Sequence, residues 1–125
     1  MKCRYYQRLD EGRVECQLCP HHCKIANGRT GICRSRRNKD GMLVSEVYGK
    51  PCSLAIDPIE KKPLYHFHPG TKCLSIACTG CNFRCLNGQN HEISQVSLAD
   101  IGHYDLSPQQ VVDLCLEHHC PGIAY

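Results

Sequence analysis

Three cysteines within eight residues, Cys78, Cys81 and Cys85, stand directly after a short apolar run, and this juxtaposition limits what the chain can build more than any other feature. Leu74, Ile76 and Ala77 lie between the turn signals Pro69-Gly70 and Thr79-Gly80, so the run reads as one buried strand. Thiols massed on the loop after a strand point to metal rather than to core packing, because soft thiolates select iron-sulfur clusters, zinc or copper(I). The segment from Lys72 to Gln95 is therefore the expected organising centre of the chain.

The whole chain carries twelve cysteines in 125 residues. In a short secreted protein that density implies a disulfide scaffold. The amino terminus, MKCRYYQRLDEGR, has no apolar signal-peptide core, so a cytoplasmic setting with metal or redox thiols is expected instead. No apolar stretch approaches the roughly 20 residues that span a bilayer. The net charge of +3 is spread along the chain without a basic stripe, which predicts neither nucleic acid nor a membrane surface as partner.

A second thiol group, Cys16, Cys19, Cys23 and Cys33, lies in CQLCPHHCKIANGRTGIC. Two ligands separated by two residues make a knuckle around one ion, and a return cysteine after a glycine-bearing loop completes a tetrahedron. Four thiolates suit either Zn²⁺ or an iron-sulfur cluster, and both stay open. His21 and His22 sit inside this loop and could replace one thiol as ligand, although adjacent histidines on a surface turn are more often solvated. Cys3 reads as a spare thiol. A redox dithiol at Cys16 and Cys19 is a third option, but no thioredoxin-like order of strand and helix surrounds the pair.

Between the two thiol groups, Arg34 to Lys39 reads as a solvated hairpin approach to an Asp40-Gly41 turn. Met42 to Val47 and Cys52 to Ile56 read as an antiparallel strand pair split by Tyr48-Gly49-Lys50-Pro51. Prolines 58, 63 and 69 exclude a continuous helix, so Asp57 to Gly70 is an ordered connector. His66 and His68 alternate on an extended chain there and face opposite sides. Beyond a polar loop, Ser107 is an N-cap, Pro108 a first helical residue and Gln110 the partner in a capping box. Val111, Leu114 and Cys115 form that helix's inner face, Leu106 and Val111 suit a hydrophobic staple, and Pro121-Gly122 ends it near Cys120. Ile123 to Tyr125 starts a further strand, which makes strand, helix and strand one unit of a parallel sheet.

The residues GCNFRC, followed by QN and EISQ from Gly80 to Gln95, resemble the cluster loop of radical S-adenosylmethionine enzymes of the AmmeMemoRadiSam-system branch, which is related to pyruvate formate-lyase activating enzymes. LCPHHC with Gly31, Cys33 and Arg36, and the connector IDPIEKKPLYHF, are similar to motifs of the same branch. The resemblance implies an α/β fold in which a cysteine-rich amino-terminal lobe with short strands (residues 1–70) precedes the first β-α-β unit of an incomplete radical-SAM, TIM-like barrel (residues 71–125). It implies a [4Fe-4S] cluster held by three thiolates, with S-adenosyl-L-methionine on the fourth iron. Reductive cleavage there gives a 5′-deoxyadenosyl radical that abstracts hydrogen from an unknown substrate, with a flavodoxin or ferredoxin as electron donor.

Cys81 and Cys85 match the first two cluster ligands. Gly88 stands where the third belongs and Asn87 where the family has an aromatic, so Cys78 is the only nearby thiol that could substitute. The resemblance covers essentially all 125 residues but only the first part of the family's length. The chain is thus expected to be a fragment without reductive cleavage of its own. The alternative of another class is a non-catalytic zinc module built on Cys16, Cys19, Cys23 and Cys33.

Overall fold

The computed structural model describes all 125 residues, which divide into two compact units: Met1–Tyr48 with Thr79–Gly102, and Gly49–Cys78 with His103–Tyr125. The position between residues 70 and 71 lies inside the second unit.

In the first unit, β1 (Tyr6–Arg8), β2 (Val14–Cys16) and β3 (Lys24–Ile25) form an antiparallel sheet in chain order. The turn between β1 and β2 passes through Glu11 and Gly12, both with positive φ. A separate hairpin pairs β4 (Arg36–Lys39) with β5 (Met42–Ser45), Lys39 opposite Met42. Asp40 and Gly41 take φ of 53° and 74°, the two left-handed residues of a type I′ turn, whose twist matches that of the flanking strands. The expected partnership of 42–47 with 52–56 is therefore corrected. A two-residue turn closes at once on the strand before it, and the polar run Arg34 to Lys39 supplies that strand.

Val14, Cys16, Ile25 and Leu43 form the core of this unit, with Cys3, Tyr6 and Cys23 packed against them. So small an apolar cluster leaves much of the order to one polar side chain. Asn38, fully buried, donates from Nδ2 to the carbonyls of Gly12 at 2.8 Å and Ile25 at 2.9 Å, and accepts from the Gly41 N–H at 2.9 Å. One carboxamide thereby ties the β1–β2 turn, β3 and the hairpin turn together. The remainder of the unit, Thr79–Gly102, contains one turn of helix, α1 (His91–Ser94), and a 3₁₀ turn over Leu98–Asp100 closed by a Ser97–Asp100 capping box.

In the second unit β7 (Lys72–Ala77) is the central strand of three. It pairs antiparallel with β6 (Ser53–Pro58), Ser53 opposite Ala77, and parallel with β8 (Ile123–Ala124), Leu74 opposite Ile123. The helix between β7 and β8, α2 (Pro108–Glu117), begins as its sequence predicts. Ser107 Oγ accepts from the Gln110 N–H and Gln110 Oε1 accepts from the Ser107 N–H. Val111 and Cys115 are buried with Leu74 and Cys120, and Leu54, Ile76, Leu106, Leu114 and Ile123 pack around them.

The helix ends at Glu117, before Pro121-Gly122 can act on it. The Cys120 N–H donates to the Cys115 carbonyl and the His119 N–H to that of Leu116, with His119 at φ 52°. This is a Schellman closure, and the Cys115–Cys120 contact is the apolar pair that accompanies it. The connector also differs from expectation. Leu64–Gly70 is a series of turns and bends, not extended chain, and His68 at φ 47° packs edge-on against the Phe67 ring.

Truncating Asn38 removes its bonds to the Gly12 and Ile25 carbonyls and to the Gly41 N–H, of which the last two are buried, where a lost partner costs about 1–3 kcal/mol. Asn38→Ala is expected to lower stability by about 3 kcal/mol or more, against about 1 kcal/mol for loss of the α2 cap in Ser107→Ala. Urea unfolding of the two variants by circular dichroism checks the ranking. Equal costs would mean that the carboxamide does not organise its unit.

Candidate functional site

The thiol loop leaves the carboxyl end of β7. Cys78 closes the second unit, and from Thr79 onward the loop belongs to the first. Cys81 is half-buried and its sulfur accepts the Phe83 N–H at 3.4 Å, while Cys85 is exposed. The Cys78 thiol is pushed up first by desolvation and then by its neighbour Cys52, whose own thiol is raised by desolvation. Both therefore favour the protonated form over the thiolate that binds metal.

Phe83 and Leu86 point into solvent, Leu86 completely. At Gly88 a Cβ would stand 3.5 Å from the Cys85 carbonyl and 3.9 Å from the Cys85 Cβ, ordinary contact distances on a backbone without positive φ. The loop has the room for a third side chain but not the residue.

The four thiols of the amino-terminal group take different roles. Cys16 is buried in the core of the first unit with Cys23 packed against it, and the backbone joins them, Cys16 N–H to Cys23 carbonyl at 3.0 Å. Cys19 and Cys33 are half-buried, and Arg36 Nη1 approaches the Cys33 sulfur at 3.9 Å. No three Cys, His, Asp or Glu side chains anywhere in the chain are grouped so as to hold a metal ion. A four-thiolate cage is therefore not assembled by Cys16, Cys19, Cys23 and Cys33 as they stand. Cys81 and Cys85 offer two sulfurs where a cluster with an open iron requires three. Cys81 and Cys85 by themselves fall one sulfur short of that set.

Sequence patterns missed two members of this region. Cys3 packs on the Cys16 cluster because its N–H bonds to the Leu43 carbonyl at 2.8 Å, a pairing across 40 residues that no local periodicity displays. Burial raises its thiol, and Arg36 opposes the rise by charge and hydrogen bond. Arg36 lines an apolar cleft of about 310 Å³ with Cys3, Leu18, Leu43 and Tyr48, and no carboxylate pairs with it. His21 is solvent-exposed, as its turn position implies, and also has Nε2 at 2.7 Å from the Asn82 carbonyl oxygen, so the first thiol loop touches the second.

The connector is a clasp. Asp57, its side chain 12% exposed, takes Lys61 at 2.8 Å, Lys62 at 3.0 Å and the Ser75 hydroxyl at 2.7 Å, while Glu60 accepts the Gly70 N–H at 2.7 Å. Those bonds, Lys61 first, hold the Asp57 carboxyl far below the usual range. The paired lysines are thereby committed to the fold rather than presented to an anion.

An uncharacterised protein of Methanocaldococcus jannaschii is 49% identical over 121 residues, which is 97% of this chain and 36% of that protein. The chain thus spans about a third of the length of the curated relative it matches. No family model matches the chain, and no solved structure does. No helix is long and apolar enough to cross a membrane.

A carboxyl held below its unfolded value contributes stability that is fully present above the unfolded pKa of about 4 and is lost as pH falls toward the folded value. Asp57→Asn is expected to lower the urea midpoint at pH 7, and the gap to the native chain should stay constant down to about pH 5 and close below about pH 4. A gap that persists unchanged at pH 3 would show that the carboxylate charge is not what holds Lys61 and Lys62.

Proposed function

We propose that this chain is the amino-terminal portion of an iron-sulfur protein of the radical S-adenosylmethionine type, carrying a cluster loop that has lost one of its three thiolates. In the family the loop resembles, cluster and S-adenosylmethionine together supply a 5′-deoxyadenosyl radical for hydrogen abstraction. With two thiolates the chain does not perform that step alone. The observation that carries the reading is the course of β7: a central strand, parallel to β8 across α2, that ends directly in Cys78, Cys81 and Cys85 and continues over a Gly88 backbone with room for a third side chain. That the chain matches 36% of a longer relative supports reading it as part of a larger protein. On this reading the protein is cytoplasmic, its electron donor is a flavodoxin or ferredoxin, and its substrate is approached only by the complete protein.

A second reading has its own observation. β2 and β3 bring Cys16 and Cys23 onto one core, and Arg36 lies at the Cys33 sulfur. A small rearrangement of this loop would serve a structural zinc ion, with the chain acting as a docking module.

Anaerobic iron and sulfide reconstitution of the native chain and of Gly88→Cys, followed by metal analysis and electron paramagnetic resonance, separates the two. Gly88→Cys is expected to take up about four irons per chain, with a reduced signal that S-adenosylmethionine perturbs, while the native chain does neither. Failure of Gly88→Cys to exceed the native chain would sink the radical-enzyme reading. About one tightly held zinc per native chain, without iron, would favour the module.

A further inference from the structure

The two thiol loops meet inside the first unit, and the contact consists of side chains of one gripping backbone carbonyls of the other. His21 Nε2 lies 2.7 Å from the Asn82 carbonyl oxygen, and since a carbonyl only accepts, the ring carries a proton on Nε2. Ser35 Oγ stands 3.1 Å from the carbonyl oxygens of both Cys33 and Thr79. Gly80, at φ +88°, approaches so closely that a Cβ there would fall 2.2 Å from the Cys33 carbonyl oxygen and 2.3 Å from Ser35 Oγ. Gln95 Nε2 donates to the Phe83 carbonyl at 2.8 Å, and the Gly80 N–H donates to that of Ile93 at 2.9 Å.

The carbonyls of Thr79, Asn82 and Phe83, which bracket Cys81, are thus held from three separate places in the sequence. With that backbone fixed, the Phe83 N–H is aimed at the Cys81 sulfur at 3.4 Å. Cys85 lies beyond the last of these grips and is exposed.

We propose that His21 and Ser35 are positioning residues for Cys81: the amino-terminal thiol loop sets the backbone that aims this sulfur, whatever the sulfur binds. The inference does not depend on the loop carrying iron. It gives the amino-terminal cysteine loop a role in the chemistry of the second loop through hydrogen bonds rather than through its own ligands.

The test is amide hydrogen exchange, resolved by mass spectrometry, on the full chain. Losing one such bond corresponds to about a fivefold rise in local opening, so His21→Ala and Ser35→Ala should each speed exchange over 79–85 by about that factor and leave 108–117 unchanged. His21→Gln, which keeps an amide donor within reach of the Asn82 carbonyl, should return the native rate. A loop that exchanges at the native rate in His21→Ala, acceleration spread equally into 108–117, or a glutamine variant no better than alanine would each overturn the proposal. A parallel arm adds His21→Ala to Gly88→Cys and measures retained iron, which should fall. If Gly88→Cys binds no iron at all, the radical-enzyme reading fails while the exchange result still decides the positioning role.

Discussion

The buried carboxamide of Asn38 is the interaction on which the first unit rests. Four apolar side chains out of water, two of them only the size of Cys and Val, stabilise a unit of this size weakly. A type I′ hairpin and a three-stranded sheet of two- and three-residue strands need a tie that is strong and directional. Asn38 provides it by satisfying the Gly12 and Ile25 carbonyls and the Gly41 N–H at once, with both ends of the amide used. Asn27 extends the same device outward by exchanging two hydrogen bonds with Asp40. The hairpin so fixed carries Ser35 and Arg36 at its start, and these are the residues that reach the thiols and the second thiol loop.

The cysteines divide by burial, and that division qualifies what their number implies. Cys16, Cys73, Cys115 and Cys120 are core residues, each less than a tenth exposed. Around α2 the three thiols Cys73, Cys115 and Cys120 act as small hydrophobes whose S–H groups find carbonyls: those of Cys73 and Cys115 converge on Gly122, and Cys115 also reaches Cys120. Burial and mutual repulsion push the Cys115 thiol up, so it packs rather than reacts. What remains for chemistry is the less buried set, with Cys81 and Cys85 on one loop and Cys19, Cys23 and Cys33 near the other.

How much of this the sequence displays follows from the range of the interactions. β7 was legible because its apolar run and bounding turns are local, and the start of α2 because Ser107, Pro108 and Gln110 act within four residues. The parallel pairing of β7 and β8 followed from the helix between them. The Asp40-Gly41 hairpin turn is legible in the sequence, but the polar run Arg36–Lys39 carries no apolar alternation to mark it as the strand that pairs with β5. The end of α2 was misplaced because a left-handed histidine, not glycine, closes it. Within the candidate site, the cysteine spacing was visible, but Cys3 reaches its place through a pairing 40 residues away and His21 through one 61 residues away. No spacing rule reports contacts of that separation.

The same long range gives the second thiol loop a shape that does not depend on a metal ligand. A loop ordered only by a metal would relax once a ligand was replaced, since the ordering entropy of each residue is of order 1–2 kcal/mol and would be uncompensated. Here the backbone from Thr79 to Phe83 is held by Ser35, His21 and Gln95, and Gly80 is seated against Cys33, none of which involves position 88. The scaffold that aims Cys81 is therefore independent of the side chain at position 88. It follows that the shape of this loop is fixed by contacts with the amino-terminal cysteine loop and not by the residue at position 88.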